Sequence, residues 1–248
     1  MTSTTLHAAE LVKRFGTKEA VRNVHLAVAP GEIVGLLGPN GAGKTTTFNM
    51  IVGRIRPTGG HVYLGDEEIT NLPMYRRARR GITYLPQEPS IFRRLTVEEN
   101  ILAILETQGL RRRERKERLQ QLLAELDLTE KAKQRGATLS GGERRRVEIT
   151  RALVLNPRFM LLDEPFSGID PIAVMEIQKI VGQLRERGIG LIITDHNVRD
   201  TLSICDRAYI IKDGRIIREG TPPEIAEDPT VREIYLGQNF RLDPAVAH

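Results

Sequence analysis

The sequence predicts an α/β fold, a mostly parallel sheet packed with helices, interrupted by a helical insertion. Three observations carry this. The short apolar runs E-I-V-G-L-L-G, R-F-M-L-L-D and I-G-L-I-I-T-D are too short for buried helices and suit strands covered on both faces. Segments with apolar residues three and four apart alternate with them. Between residues 96 and 155 the pattern turns charged and helical, without strand-like runs.

Taken in order, residues 24–28 alternate apolar and polar and read as a strand, closed by the Pro30-Gly31 turn. The run E-I-V-G-L-L-G is the next strand. A glycine-rich loop follows, then T-T-T-F-N-M-I-V-G, a helix ending at Gly53. Residues 61–64 and 82–86 are short strands. V-E-E-N-I-L-A-I-L opens the helical insertion, and Leu119, Leu122, Leu123 and Leu126 continue it at helical spacing. The strand R-F-M-L-L-D, a helix over 174–187 ended by Gly188, the strand I-G-L-I-I-T-D and a helix over 198–205 then restore the alternation. A hairpin turns at Asp213-Gly214. The tail after Leu236 is short and polar and is expected to fray.

Composition excludes several classes. The chain has 248 residues, room for one or two domains of roughly 100–200 residues each. It is 40% hydrophobic and 28% charged, enough to bury a core and unlike a disordered tail. One cysteine, Cys205, rules out an internal disulfide framework and points to a reducing compartment. No apolar run approaches the ~18 residues of a bilayer span, and the N-terminus lacks the basic start and apolar stretch of a secretory signal. The net charge of +5 comes from 37 basic and 32 acidic residues, a mild excess that a soluble surface accounts for. With 4% aromatics and no tryptophan, stacking platforms for single-stranded nucleic acid are scarce. The arginines of 76–80 and 111–113 read as solvated helix faces beside glutamates.

The segment G-P-N-G-A-G-K-T, Gly38 to Thr45, follows a strand and opens a helix, the context a phosphate loop requires. Gly38, Gly41 and Gly43 let backbone N–H groups approach phosphate oxygens, and the helix adds its positive end. Lys44 supplies a point charge and Thr45 a hydroxyl for Mg²⁺. At the end of a buried strand, Asp163 and Glu164 offer a carboxylate for the metal shell and another to polarise a water in line with the γ-phosphate. Adjacent acids can also simply open a helix. A second helix start, L-S-G-G-E, has Ser140 as N-cap and Gly141 and Gly142 with open N–H groups. That is a second anion cradle, or a plain capped helix.

These motifs, in this order and spacing, resemble the ATP-binding subunits of ATP-binding cassette transporters. Gln87 in L-P-Q-E, the loop S-G-I-D ending at Asp170, and His196 in T-D-H extend the match over nearly the whole chain. The resemblance implies a P-loop NTPase core with a mostly parallel sheet, an antiparallel β portion and a helical subdomain inserted at about 88–157. The cassette would span 4–237, with a tail at 238–248. It implies ATP and Mg²⁺ as ligands and a homodimer with each ATP between one chain's phosphate loop and the other's signature, the L-S-G-G-E segment from Leu139 to Glu143. Phe15 would stack on adenine, and Pro39, Asn40, Ala42 and Thr46 would line the phosphates with the loop glycines. Gln87 would join Thr45 and Asp163 at the metal, and His196 would assist Glu164 in catalysis. Ser140, Gly142 and Asp170 would lie at the dimer interface.

Within the family, the longer strings S-I-F-R-R and L-S-G-G-E-R-R-R-V-E-I resemble the cassettes that power bacterial lipopolysaccharide export. Branched-chain amino-acid importer cassettes share much of this vocabulary and are the alternative. A nucleic-acid-coupled ATPase is a further rival, set aside because only about fifty residues separate Gln87 from the signature. The resemblance further implies integral membrane partners whose coupling helices dock at Phe92 and Arg93. The chain would then be cytoplasmic and peripheral on the inner membrane, touching it only through those partners.

Overall fold

A computed structural model describes residues 4–242. The chain opens with β1 (Leu6–Phe15), β2 (Lys18–Val28) and β3 (Ile33–Leu37), then α1 (Lys44–Val52), β4 (Gly59–Leu64), β5 (Glu67–Glu68), α2 (Met74–Arg79) and β6 (Ile82–Leu85). The helical insertion follows as α3 (Val97–Leu105), α4 (Arg112–Glu125) and α5 (Gly141–Leu153). The chain returns through β7 (Phe159–Asp163), α6 (Pro171–Glu186), β8 (Gly190–Thr194), α7 (Val198–Leu202), β9 (Arg207–Lys212) and β10 (Arg215–Gly220). It closes with α8 (Pro222–Glu227), α9 (Pro229–Val231) and a π-helical turn at Arg232–Leu236.

Two sheets form. The larger runs β10-β9-β3-β8-β7-β6 and is parallel except for β10, which returns antiparallel to β9 through a turn at Asp213 (φ 46°) and Gly214 (φ 78°). The smaller is antiparallel, β2-β1-β4-β5. The core strands are buried on both faces, and their side-chain alternation feeds two cores. Leu161 and Ile192 point to the side where Phe48 of α1 packs, whereas Met160, Leu162, Leu191 and Ile193 join Leu122 and Val147 of the insertion.

The sequence reading needs three corrections. It had no strand before residue 24, yet β1 and the first half of β2 form a long hairpin. Bulges between Ala8 and Leu11, where Glu10 sits at φ 55°, and between Leu11 and Lys13 break the period of two, so the alternation is hidden. The arginine cluster of 76–80 is not uniformly solvated. Arg77 is only 1% exposed and donates to the carbonyls of Met50, Ile51, Thr70 and Leu72. The expected frayed tail is packed as far as it is described: Phe240 and Leu242 lie against a cluster containing Leu37, Leu202, Ile210 and Val231. Residues 243–248 lie outside the described residues.

Candidate nucleotide site

Four strands of the parallel sheet deliver the predicted residues at their carboxyl ends, where open α/β sheets place ligands. β3 runs into the loop that starts at Gly38, β6 into Gln87, β7 into Asp163 and Glu164, and β8 into Asp195 and His196.

The phosphate-loop side is one cleft of about 310 Å³, lined by Phe15, Asn40, Gly41, Lys44, Thr45 and Glu164 among others. Ala42, Gly43 and Thr46 belong to the same wall. Phe15 stands at the end of β1, half exposed, with its ring open and the Lys13 ammonium 5.1 Å from its centre. Gly38 is required by close approach, since a Cβ there would lie 2.0 Å from the Ile211 carbonyl oxygen of β9. Lys44 begins α1 and folds its ammonium onto the loop, donating to Gly38 O at 2.6 Å and Pro39 O at 3.1 Å. Burial pulls its pKa down, against the nearby carboxylates of Glu164, Asp163 and Asp195. It is a positive charge held short of full solvation, primed for an anion.

Opposite it stand the carboxylates. Asp163 is buried, and desolvation raises its pKa despite Tyr84, Arg145 and Lys44. Its Oδ2 accepts a hydrogen bond from the Tyr84 hydroxyl at 2.9 Å. Its Oδ1 is buried without a partner, as is Oγ1 of Thr194, the residue paired with it in register across β7 and β8. Two orphaned oxygens at adjacent strand ends are what a hydrated hard cation satisfies. Among the described residues no group of three or more His, Cys, Asp or Glu could hold a metal unaided.

Glu164 sits in the left-handed region at φ 48°, a cost usually tolerated at functional positions. Its Oε2 accepts from Gln87 Nε2 at 2.7 Å and lies 3.4 Å from His196 Nδ1. Asp195 supports both loops from below, accepting from the Phe166 and Asn197 amides at 2.9 Å. Burial raises its pKa as well. Three residues expected near the γ-phosphate therefore meet around one carboxylate.

The signature does not join them. Ser140 caps α5 by accepting from the Glu143 amide, and Glu143 answers by accepting from Ser140 N, a closed capping box. Gly141 lines a separate cleft with Gln87, Arg144, Ser167 and Ile169. Gly142 packs the helix down, because a Cβ there would lie 2.6 Å from Ala173 Cβ. Asp170 caps α6, accepting from the Ala173 amide at 3.0 Å. Phe92 is 45% exposed under the Arg151 guanidinium, 4.4 Å from its ring centre, with exposed Arg93 beside it.

Sequence reasoning missed Arg145. It is buried and donates to the carbonyls of Pro86, Asp163, Glu164 and Pro165 while pairing with Glu148 at 3.1 Å. One signal was available: Arg145 and Glu148 fall three apart on the apolar face of α5, with Val147 and Ile149 buried around them. Tyr84 carried no such signal.

A family profile for ABC transporters matches residues 21–167. The chain belongs to the ABC transporter family. Its ATP-binding cassette is the fold and site just described, and ATP hydrolysis is the activity of that family. A second profile, for the branched-chain amino acid ATP-binding cassette transporter, matches residues 215–241. The lipopolysaccharide export system ATP-binding protein LptB of Acidithiobacillus ferridurans is 58% identical over 96% of this chain and 98% of that protein. The protein of the same name from Escherichia coli K12 is 52% identical, over 96% and 99%. Among solved structures, one ATP-binding cassette of an ABC transporter superposes with a TM-score of 0.88 at 32% identity, over 95% of this chain and all of the other. A second neighbour, a dimeric cassette bound to ADP and phosphate in a post-hydrolysis state, has a TM-score of 0.77 at 28% identity, over 88% and 98%.

Proposed function

We propose that this cassette is the ATPase subunit of a lipopolysaccharide exporter, working as a homodimer that closes on two ATP molecules. The observation that carries the pairing is the division of the anion cradles. Lys44 and Glu164 line one cleft and Gly141 another, with Gln87 of the second bonded to Glu164 of the first, which supports a reading in which each chain supplies halves of two sites. The dimeric neighbour and the close exporter relatives support the same reading.

In this reading Phe15 stacks on the adenine, and the amides from Gly38 to Thr46 together with Lys44 hold the phosphates. Thr45, Asp163 and Gln87 would hold Mg²⁺, which when bound supplies charge neutralisation to the phosphate oxygens. Glu164 takes the proton of the attacking water on its carboxylate. Gln87 and His196, both at Glu164 Oε2, fix which oxygen is offered. The partner's Ser140 and Gly142 complete the γ-phosphate contacts, with Asp170 crossing the interface. Hydrolysis removes the shared phosphate and lets the pair open, a population shift driven by differential affinity for the closed state.

No helix among the described residues is long and apolar enough to cross a membrane. In the proposed reading the membrane path comes from partner subunits seated near Phe92 and Arg93, with the cassette on the cytoplasmic face of the inner membrane. The test is purification from membranes in mild detergent, identification of the copurifying integral proteins, and reconstitution in proteoliposomes. ATP-dependent release of lipopolysaccharide is expected. Amino-acid uptake without lipopolysaccharide release would transfer the protein to the importer reading, which the 215–241 match favours.

A further inference from the structure

Asp163 presents its two carboxylate oxygens to different worlds. Tyr84, on the neighbouring strand β6, donates its hydroxyl to Oδ2 at 2.9 Å, whereas Oδ1 is buried and unpartnered. The tyrosine is itself held. Its ring is half-buried against the core that contains α1, and the Arg54 guanidinium lies 5.8 Å from its centre. Its hydroxyl donates to Asp163 and also takes a side-chain hydrogen bond from Arg54.

A carboxylate swaps its oxygens by rotation about one bond, and a buried one with a single free ligand position gains from having that rotation stopped. We propose that Tyr84 is the positioning residue of this site: its hydroxyl clamps Oδ2 of Asp163 so that Oδ1 alone is offered to the hydrated divalent cation of the nucleotide complex. Tyr84 touches neither substrate nor cation and acts through the aspartate. This rests on the reading of Asp163 as a carrier of the metal shell.

Tyr84→Phe keeps the ring and removes the clamp, together with the hydroxyl's contact with Arg54. The probe is Mn²⁺ binding to the full chain with a non-hydrolysable ATP analogue, followed by electron paramagnetic resonance. Loss of one hydrogen bond to a charged acceptor should weaken Mn²⁺ about tenfold. Analogue binding in EDTA should stay as in the wild type, and ATPase turnover should recover at high Mg²⁺ rather than fall at all concentrations. A merely structural tyrosine would leave Mn²⁺ affinity unmoved, and that result overturns the proposal. A cycle with Asp163→Asn separates it from the reading beneath. Asp163→Asn should itself weaken Mn²⁺, and adding Tyr84→Phe to it should then cost nothing more. A second tenfold loss in that background would mean that Tyr84 acts through something other than Asp163. Unchanged Mn²⁺ binding in Asp163→Asn alone would instead overturn the assignment of Asp163.

Discussion

Arg77 offers a direct test of how this cassette is fastened. It is a buried cation with no carboxylate partner among the described residues; its partners are backbone carbonyls, Leu72 at 2.9 Å, Met50 at 2.8 Å, Ile51 at 2.5 Å and Thr70 at 2.7 Å. Met50 and Ile51 belong to the last turn of α1, where the Gly53 amide reaches the Asn49 and Met50 carbonyls, and Arg77 adds a second cap supplied by α2 to the helix that begins at Lys44. Burial lowers its pKa to about 10, so it remains charged at neutral pH. Arg77→Met keeps the apolar stem and deletes all four donors. At about 1 kcal/mol net per hydrogen bond, offset in part by no longer burying a guanidinium, the loss is about 3 kcal/mol. For a chain of this size each kcal/mol moves Tm by about 2–4 °C, so a fall of roughly 6–12 °C is expected. Thermal unfolding followed by circular dichroism reads it. Arg76→Met and Arg79→Met, exposed on the same helix, should stay within about 0.5 kcal/mol of wild type. A Tm for Arg77→Met equal to theirs would refute the capping role.

Glu164→Gln should lower ATPase turnover by about 10²–10⁴-fold while ATP still binds and holds a dimer on size exclusion, and near-normal turnover would end its role as proton acceptor. Asp163→Asn should raise the Tm of the nucleotide-free protein. Burial raises the Asp163 pKa, so the folded state carries a costly charge above that pKa and regains stability as pH falls toward the ordinary carboxylate value of about 3.9. The advantage of the variant should therefore be largest near neutrality and close in acid; an advantage that grows in acid would contradict it. Phe92→Glu places a charge where an exposed ring lies under Arg151, and it should reduce copurification with membrane subunits while leaving the ATPase activity of the isolated dimer intact. Undiminished copurification would remove the docking role.

The site was legible where chemistry constrains the residue and its neighbours in sequence together. A loop that brings amides onto phosphate needs glycines and a lysine at fixed spacing, so Gly38, Gly43 and Lys44 could be placed without coordinates. The carboxylates after an apolar strand were legible for the same reason. What stayed hidden depends on contacts between distant segments or on local irregularity. Tyr84 meets Asp163 across two strands, with nothing in I-T-Y-L-P to mark it. Arg77 lies in a run of arginines that looks solvent-facing, and its partners are carbonyls, which have no sequence signature. β1 was lost because its bulges shift which side chains face inward.

Arg145 bears on the proposed division of the site between two chains. From the signature helix it reaches the carbonyls of Pro86, Asp163, Glu164 and Pro165, and its pair Glu148 accepts from the Ser90 amide at 2.5 Å. Three segments far apart in sequence thus share one buried fork, fixed through backbone atoms. A buried ion pair of this kind recovers its desolvation cost only while its remaining donors are satisfied. Bending the signature toward the same chain's phosphate loop would pull the fork off the carbonyls that follow β7 and leave its charge uncompensated. Bringing in a second copy leaves the fork intact and presents a complete cradle from outside. The energetics of this buried seam therefore support the proposed closure between two chains over closure within one.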